Sequence, residues 1–217
     1  MKENTSNSIW FIWAAITVAA PFTIAVALWD KLPAQIPIHW NIHGEADSFV
    51  PKFWAVVIFT GVNLLLYGLL WLKHIDPKKN FEQFKTAFYW ITFTIATLMS
   101  LIACLTFLNS AGLAFNLFKA ILTLILIMLM IVGNFMGKLR SNYFVGIRTP
   151  WTIENETVWI KTHRLGGRLW VLGSLSVLIL LYATSLPIWM LFVLLLTALL
   201  LPALYSYILY KQLEDNQ

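Results

Sequence analysis

Six long apolar runs constrain this chain more than any other feature. Each approaches the roughly 20 residues that a helix needs to cross a bilayer. In hydrocarbon every backbone amide must be bonded within the protein, which favours helices. Hydrophobic residues make up 59% of the chain and charged residues 12%, against about 45–50% and about 25% in soluble domains. The sequence therefore predicts an all-α integral membrane protein, a bundle of six transmembrane helices at Trp10–Trp29, Phe53–Leu72, Phe88–Leu108, Leu117–Met136, Leu169–Ser185 and Leu186–Tyr210.

The first run raises the question of a cleaved signal peptide. Ala25-Val26-Ala27 is similar to a small-residue cleavage site, but the preceding segment Met1–Ser8 holds one lysine and one glutamate. The run is also longer than the usual apolar region of about 7–15 residues. We predict that it is retained as a membrane helix.

The distribution of lysine and arginine predicts the orientation. Loop 73–87 carries four of them and loop 137–168 carries six, whereas loop 30–52 carries two and loop 109–116 none. Because positive loops stay inside, both termini and loop 137–168 are predicted to be cytoplasmic, with loop 30–52 outside. The net charge of +5 then indicates contact with anionic lipid. No basic cluster is dense enough to predict direct binding of nucleic acid.

The predicted organisation is a single membrane domain over residues 1–217. It comprises an N-terminal helix pair at 8–72 with the outer loop 30–52, a central helix pair at 85–137, a cytoplasmic signature loop at 138–168 and a C-terminal helix pair at 169–210. In the last pair, Ser185 is the expected N-cap of the final helix, with Pro187 in its first turn. The single cysteine, Cys104, excludes an internal disulfide and a cysteine-based metal site.

The apolar runs hold no aspartate, glutamate, histidine or arginine, and Lys119 lies close enough to one end to reach water. Ion-coupled transporters usually carry ionisable groups at mid-membrane, so the pattern argues against one. A transport path would have to use Asn63 and the hydroxyl residues of the third helix. Such hydroxyls more often mediate close helix packing.

The outer loop combines prolines, which keep its start extended, with a cluster of polar and aromatic residues. His39 and His43 have the spacing of a helical zinc pair, but the prolines and Gly44 disfavour a helix there. We expect a structured interfacial loop with His39 and Asn41 as hydrogen-bond anchors. A ligand-facing surface and a metal site completed by an acidic residue are the alternatives.

The inner loop contains a rigid Thr149-Pro150 step, and Gly146 permits a tight turn before it. We expect Arg148 to bond loop carbonyls or nearby glutamates. Thr152 is a candidate N-cap for a short amphipathic interfacial helix that Gly166-Gly167 ends. Glu156 and His163 lie two turns apart, as an acid–base pair would, but no catalytic motif accompanies them.

Together the two loops resemble those of the SdpI family of bacterial immunity proteins, and the resemblance covers nearly the whole chain. The outer loop resembles the N-terminal membrane domain of that family at Pro33, Pro37, His39, Trp40, Asn41, Gly44, Asp47 and Lys52. The inner segment resembles the C-terminal family signature at Gly133-Asn134, Asn142, Gly146, Ile147, Arg148, Thr149, Pro150, Trp151, Thr152, Glu156, Val158, Trp159, His163, Arg164 and Gly167.

The resemblance implies a six-helix protein of the bacterial cell membrane, without catalytic residues, metal or cofactor. It implies resistance to a secreted antimicrobial peptide toxin that meets the outer loop. It also implies signalling, in which the inner loop holds a cytoplasmic transcriptional repressor at the membrane. Two alternatives stay open: a small transporter or exporter of peptide or lipid, and a membrane enzyme using His39 with Asp47 or Glu156 with His163.

Overall fold

The computed structural model describes residues 2–41, 43–68, 78 and 80–215. The described chain is mostly helical, with one β-hairpin. In order, the elements are α1 (Lys2–Ala27), β1 (Gln35–Trp40), β2 (Ala46–Pro51), α2 (Lys52–Gly68), α3 (Phe81–Ser110), α4 (Leu117–Met136), α5 (Pro150–Glu154), α6 (Glu156–Ala183) and α7 (Ile188–Glu214).

Four of the described helices, α3, α4, α6 and α7, are long and apolar enough to cross a membrane. Two shorter apolar helical segments lie at Ile12–Ala27 and Lys52–Gly68. The predicted continuation of the second apolar run to Leu72 lies outside the described residues. The membrane class is therefore confirmed, and the count of six spans stays a prediction.

The outward faces of these helices are apolar. On α7, Leu195 is buried, whereas Leu196, Leu200 and Leu204 are 50%, 59% and 64% exposed. A soluble protein rarely leaves so large an apolar surface in contact with water. A bilayer removes that cost, because lipid tails are as apolar as leucine.

The described chain divides into two compact units, and each is described by itself. The first comprises Met1–Leu69 and Thr92–Ile125. Its core contains Ile36 of β1, Ala55 of α2 and Phe107 of α3, all 0% exposed. Burial of Ile36 attaches the hairpin to the helices.

The hairpin corrects the all-α prediction. β1 and β2 are antiparallel, with Gln35 opposite Pro51 and Ile36 opposite Val50. Because a two-stranded sheet consists only of edge strands, Pro37 can occupy β1 without breaking a continuous ladder. Proline, read from the sequence as the mark of an extended loop, here lies within a strand.

The hydroxyl residues of α3 behave as packing residues. Thr92, Ser100 and Thr106 are all buried, and the Thr106 hydroxyl donates to the Ile102 carbonyl at 2.8 Å. Such a bond to the preceding turn satisfies a hydroxyl within its own helix. It supports the packing interpretation over a polar path.

The second unit comprises Leu70–Ile91 and Leu126–Gln217, and glycines bring its helices together. A Cβ on Gly167 of α6 would lie 2.5 Å from the Gly133 carbonyl oxygen of α4. A Cβ on Gly173 of α6 would lie 2.4 Å from the Ala198 Cβ of α7. The helices are therefore so close at these positions that any residue larger than glycine would clash.

Two predicted helix boundaries in this unit are wrong. Gly166-Gly167 does not end a short helix, because α6 continues through both residues to Ala183. Glycine costs a helix about 1 kcal/mol relative to alanine, but here close packing of α4 on α6 requires it. Ser185 does not cap the last helix either, since α7 begins at Ile188 with Pro187 at its N-cap and no side-chain cap bond.

Candidate functional site

Asn142 organises the start of the signature loop. Its side chain is 0% exposed, and its amide nitrogen donates to the carbonyls of Arg140 at 2.8 Å and Val145 at 3.1 Å. Its amide oxygen accepts the backbone N–H groups of Phe144 and Val145, both at 2.8 Å. One buried side chain thus satisfies four backbone groups that have no helix or sheet to pair with.

Gly146 and His163 form the centre of the loop. Gly146 has a φ of +123°, and a Cβ there would lie 2.4 Å from the His163 Nε2 atom. The next residue, Ile147, donates its backbone N–H to that nitrogen at 2.9 Å. The His163 Nδ1 atom lies 2.8 Å from the Trp159 carbonyl oxygen. Since Nε2 accepts, Nδ1 carries the proton and donates.

His163 lies outside the apolar part of α6, which begins after Arg168. Burial lowers the pKa of His163 from 6.5 to about 4, although the bond to the Trp159 carbonyl opposes the shift. The ring is therefore neutral at physiological pH, with both nitrogens engaged by backbone groups. This geometry disfavours the proposed acid–base pair with Glu156, because His163 has no free nitrogen for a substrate.

Trp159 completes this buried cluster. Its ring stacks on His163 with 4.0 Å between centroids and 21° between planes. Its indole N–H donates to the Leu139 carbonyl at 2.9 Å. The aromatic pair on α6 thereby binds the backbone of the preceding segment at two points, Leu139 and Ile147.

The Thr149-Pro150 step begins α5, not a loop. Thr149 is the N-cap, Pro150 takes the first helical position, and the Thr149 N–H donates to the Thr152 hydroxyl at 2.9 Å. Thr152, the N-cap candidate in the sequence, instead closes a reciprocal capping box at the third helical position. The predicted amphipathic helix is split, because Asn155 caps a new helix, α6, by accepting from Thr157 and Val158.

Ser206 of α7 holds α5 in place. The Trp151 indole N–H donates to the Ser206 hydroxyl, whose oxygen also lies 3.3 Å from the Thr149 hydroxyl. The Trp151 ring meets Tyr207 edge to face, at 5.2 Å between centroids. The Thr149-Pro150-Trp151 step therefore connects the signature loop to the last helix.

Lys78 and Asn80 also bind this loop, and sequence reasoning missed both. The Lys78 ammonium lies 2.5 Å from the Ser141 hydroxyl and 2.6 Å from the Ile153 carbonyl. The Asn80 amide donates to the Ser141 carbonyl at 3.0 Å. The only sequence signal was a polar turn between apolar runs, which does not specify the partners of its residues.

A subset of the signature residues stays on the surface. Arg148 is exposed and donates to the Tyr143 carbonyl, as predicted for a loop carbonyl. Tyr143 itself is 43% exposed. Three more are exposed: Asn134 of α4, Glu156 of α6 and Arg164 of α6. Among the described residues, no hydrogen bond joins their side chains to the buried residues of the loop.

The outer loop residues lie on the hairpin and beside it. Asn41 shapes the turn, since its side-chain oxygen accepts from the N–H groups of His43 at 2.9 Å and Glu45 at 3.1 Å. Pro33 precedes β1, Pro37, His39 and Trp40 lie in β1, Gly44 is in the turn with a φ of +80°, Asp47 is in β2 and Lys52 begins α2.

Two polar side-chain contacts lie on the hairpin and beside it. The His39 Nδ1 atom and an Asp47 carboxylate oxygen are 2.5 Å apart, with the side chains 67% and 42% exposed. The Lys52 ammonium donates to the Trp29 carbonyl at 3.0 Å and lies over the Trp29 ring. In the part of the chain that the structure describes, no group of three or more histidine, cysteine, aspartate or glutamate residues could hold a metal ion.

The fold and these two sites define a helical membrane protein with a polar hairpin and a buried, hydrogen-bonded signature loop. Residues 138–206 match the SdpI/YfhL protein family, and residues 16–64 match a domain of unknown function, DUF1648. The chain is 30% identical over 218 residues to the immunity protein SdpI of Bacillus subtilis (strain 168), and the match covers 100% of both chains. It belongs to the SdpI family, as the two loops predicted. No solved structure is significantly similar to it.

Proposed function

We propose that this chain is a multi-pass protein of the bacterial cell membrane that protects its host from a secreted antimicrobial peptide toxin. The observation that carries the proposal is the full-length relation to a protein named for immunity. The relation includes both loops and the helices between them. No catalytic step is part of the proposed function.

The hairpin is the proposed toxin-facing surface. It lies on the side predicted to be outside, and its exposed groups include the His39–Asp47 pair and the 51% exposed ring of Phe49. A surface with an apolar ring beside polar groups suits an amphipathic peptide.

The signature loop is the proposed site for a cytoplasmic partner, such as a transcriptional repressor. Its buried residues are used in holding the loop, so the partner would meet the exposed ones, Tyr143, Arg148 and Glu156. Recognition of a partner by exposed aromatic and arginine side chains is common at protein interfaces.

The test is survival of a sensitive bacterium that expresses the chain and is challenged with the peptides secreted by the chain's source strain. We expect protection by the wild type, and reduced protection by a His39→Gln/Asp47→Asn variant at equal membrane abundance. A Glu82→Gln/Lys85→Gln variant is the matched control, because it removes an exposed ion pair elsewhere in the chain. Absence of protection by the wild type against every secreted peptide would refute the proposal.

A second arm tests the inner surface. Arg148→Ala should keep immunity but lose co-fractionation of a soluble regulator with the membrane after toxin exposure. Loss of immunity at normal abundance would instead make the inner loop part of protection. Movement of peptide or lipid by the purified protein in proteoliposomes would favour the transporter alternative.

A further inference from the structure

A groove runs between the end of α4 and the early part of α6, within the second unit. Its volume is about 590 Å³. Its lining combines residues without side chains, two arginines, an amide and two aliphatic residues: Gly133, Asn134, Gly137, Arg164, Gly167, Arg168, Val171 and Leu172.

The groove carries unneutralised positive charge. Arg164 and Arg168 lie one turn apart on α6, and both are exposed. Among the described residues neither guanidinium group makes a hydrogen bond or an ion pair, and no acidic residue lines the groove. Two adjacent guanidinium groups with free donors match the oxygens of a phosphate ester.

The floor of the groove is formed by two closely packed backbones. Gly133 and Gly167 are held against each other, because a Cβ on either would lie 3.0 Å or less from the other's carbonyl oxygen. Gly137 adds no side chain, and Asn134 is exposed beside it. The glycines therefore build the floor from backbone, and the other residues complete the lining with their side chains.

The position of the groove matches the boundary between lipid tails and headgroups. The apolar run of α4 ends at Met136, and that of α6 begins after Arg168. Val171 and Leu172, the latter 60% exposed, continue the groove into the apolar part of α6. A ligand that fits has an anionic head at the arginines and an apolar chain along these two residues.

We propose that this groove binds one anionic phospholipid, with its phosphate on Arg164 and Arg168 and an acyl chain along Val171 and Leu172. Basic grooves between membrane helices are suited to such headgroups. The bound lipid would bridge α4 and α6 across their glycine contact. The proposal does not depend on the immunity function.

The test is native mass spectrometry of the purified full-length protein with added phosphatidylglycerol or phosphatidylcholine. We expect phosphatidylglycerol to be retained, and about tenfold weaker retention in an Arg164→Gln/Arg168→Gln variant. Arg168→Gln should weaken retention more than Lys161→Gln, which removes an exposed positive charge of α6 outside the groove. Equal retention of the two lipids, or equal effects of the two single substitutions, would overturn the site.

Two further measurements test whether the ligand is a free phosphate and whether the groove itself is needed. Inorganic phosphate and glycerol phosphate should not raise the thermal stability of the detergent-solubilised protein, whereas phosphatidylglycerol should. If free phosphate stabilises as much as the lipid, the ligand is not a phospholipid.

Gly137→Leu keeps both arginines and fills the groove, so lipid retention should fall in this variant too. Undiminished retention would overturn the proposal even if the double arginine variant fails to fold.

Discussion

Gly146 is the residue whose replacement should reveal how the signature loop is built. Its φ of +123° and the 2.4 Å approach of a Cβ to the His163 Nε2 atom are separate obstacles to a side chain. Gly112 has a comparable φ of +104° and nothing within 4 Å of a Cβ. The pair therefore separates backbone strain from loss of the buried contact.

We expect Gly146→Ala to lower the free energy of unfolding by more than about 3 kcal/mol, because strain and a clash with a bonded histidine combine. Gly112→Ala should cost about 1–2 kcal/mol, the strain alone. Thermal denaturation in detergent, with membrane abundance in cells, measures both. Equal losses in the two variants would show that the His163 contact contributes nothing.

His163 makes the stability of the loop dependent on pH. Because the folded pKa is about 4 and the ordinary value is 6.5, the unfolded chain binds the proton more readily. The stabilisation that the neutral His163 ring gives to the folded state is fully present above pH 6.5 and is lost as the pH falls from 6.5 towards 4. Its full size is on the order of 3 kcal/mol.

The melting temperature of the wild type should therefore fall between pH 7 and pH 5 by more than that of His163→Gln. Glutamine does not titrate, and its amide can still bond to backbone groups. Tyr143, a surface residue of the same loop, supplies the control variant Tyr143→Phe, which should keep the wild-type pH dependence. Parallel pH profiles for the wild type and His163→Gln would contradict this prediction.

At the scale of elements, contacts between helices follow from glycine in α6. The sequence placed Gly166-Gly167 at the end of a short helix, because glycine often terminates helices. The structure places Gly167 against Gly133, where two backbones meet. Local propensity cannot distinguish a glycine that ends a helix from one that lets two helices pack closely, since the second role depends on a neighbouring helix.

Gly167→Ala should separate α4 from α6 and lower the melting temperature markedly, because its Cβ would lie 2.5 Å from a backbone oxygen. Gly61→Ala in α2 has nothing within 4 Å and should be neutral or stabilising by about 0.5–1 kcal/mol. Thermal unfolding of the two variants in the same detergent compares them. A tolerated Gly167→Ala would show that the helix contact is looser than described.

The hairpin shows the same dependence on context. The prolines predicted an extended start and a structured loop with His39 and Asn41 as hydrogen-bond anchors, and both side chains do form hydrogen bonds there. Pairing of β1 with β2 follows from burial of Ile36 and from the Asn41 turn, which are tertiary and medium-range contacts. Strand formation therefore went unpredicted although the turn residues were identified.

At the scale of the whole molecule, orientation is the prediction that every functional argument uses. It follows from the excess of lysine and arginine in loops 73–87 and 137–168. In a Cys104→Ser background, His43→Cys should react with a membrane-impermeant maleimide in intact cells. Lys161→Cys should react only after the membrane is permeabilised. The reverse pattern would place the hairpin inside and exchange the roles proposed for the two loops.

The sequence by itself determined the membrane class, the existence of the two informative loops and membership of the SdpI family. These depend on composition, run length and short motifs, which are local properties of the chain. Arg148 bonding a loop carbonyl was also foreseen, because a rigid turn offers such carbonyls nearby.

Only the tertiary structure decided how the motif residues are used. His163 accepts from Ile147 across sixteen residues, Trp151 meets Ser206 of α7, and Lys78 reaches Ile153. Such bonds form between segments that folding brings together, so no spacing along the chain specifies them. The same reason explains why α6 continues through its glycines, because contacts with a neighbouring helix outweigh the local signal that predicts an end. The capping box is different, since it joins Thr152 to Thr149 only three residues away.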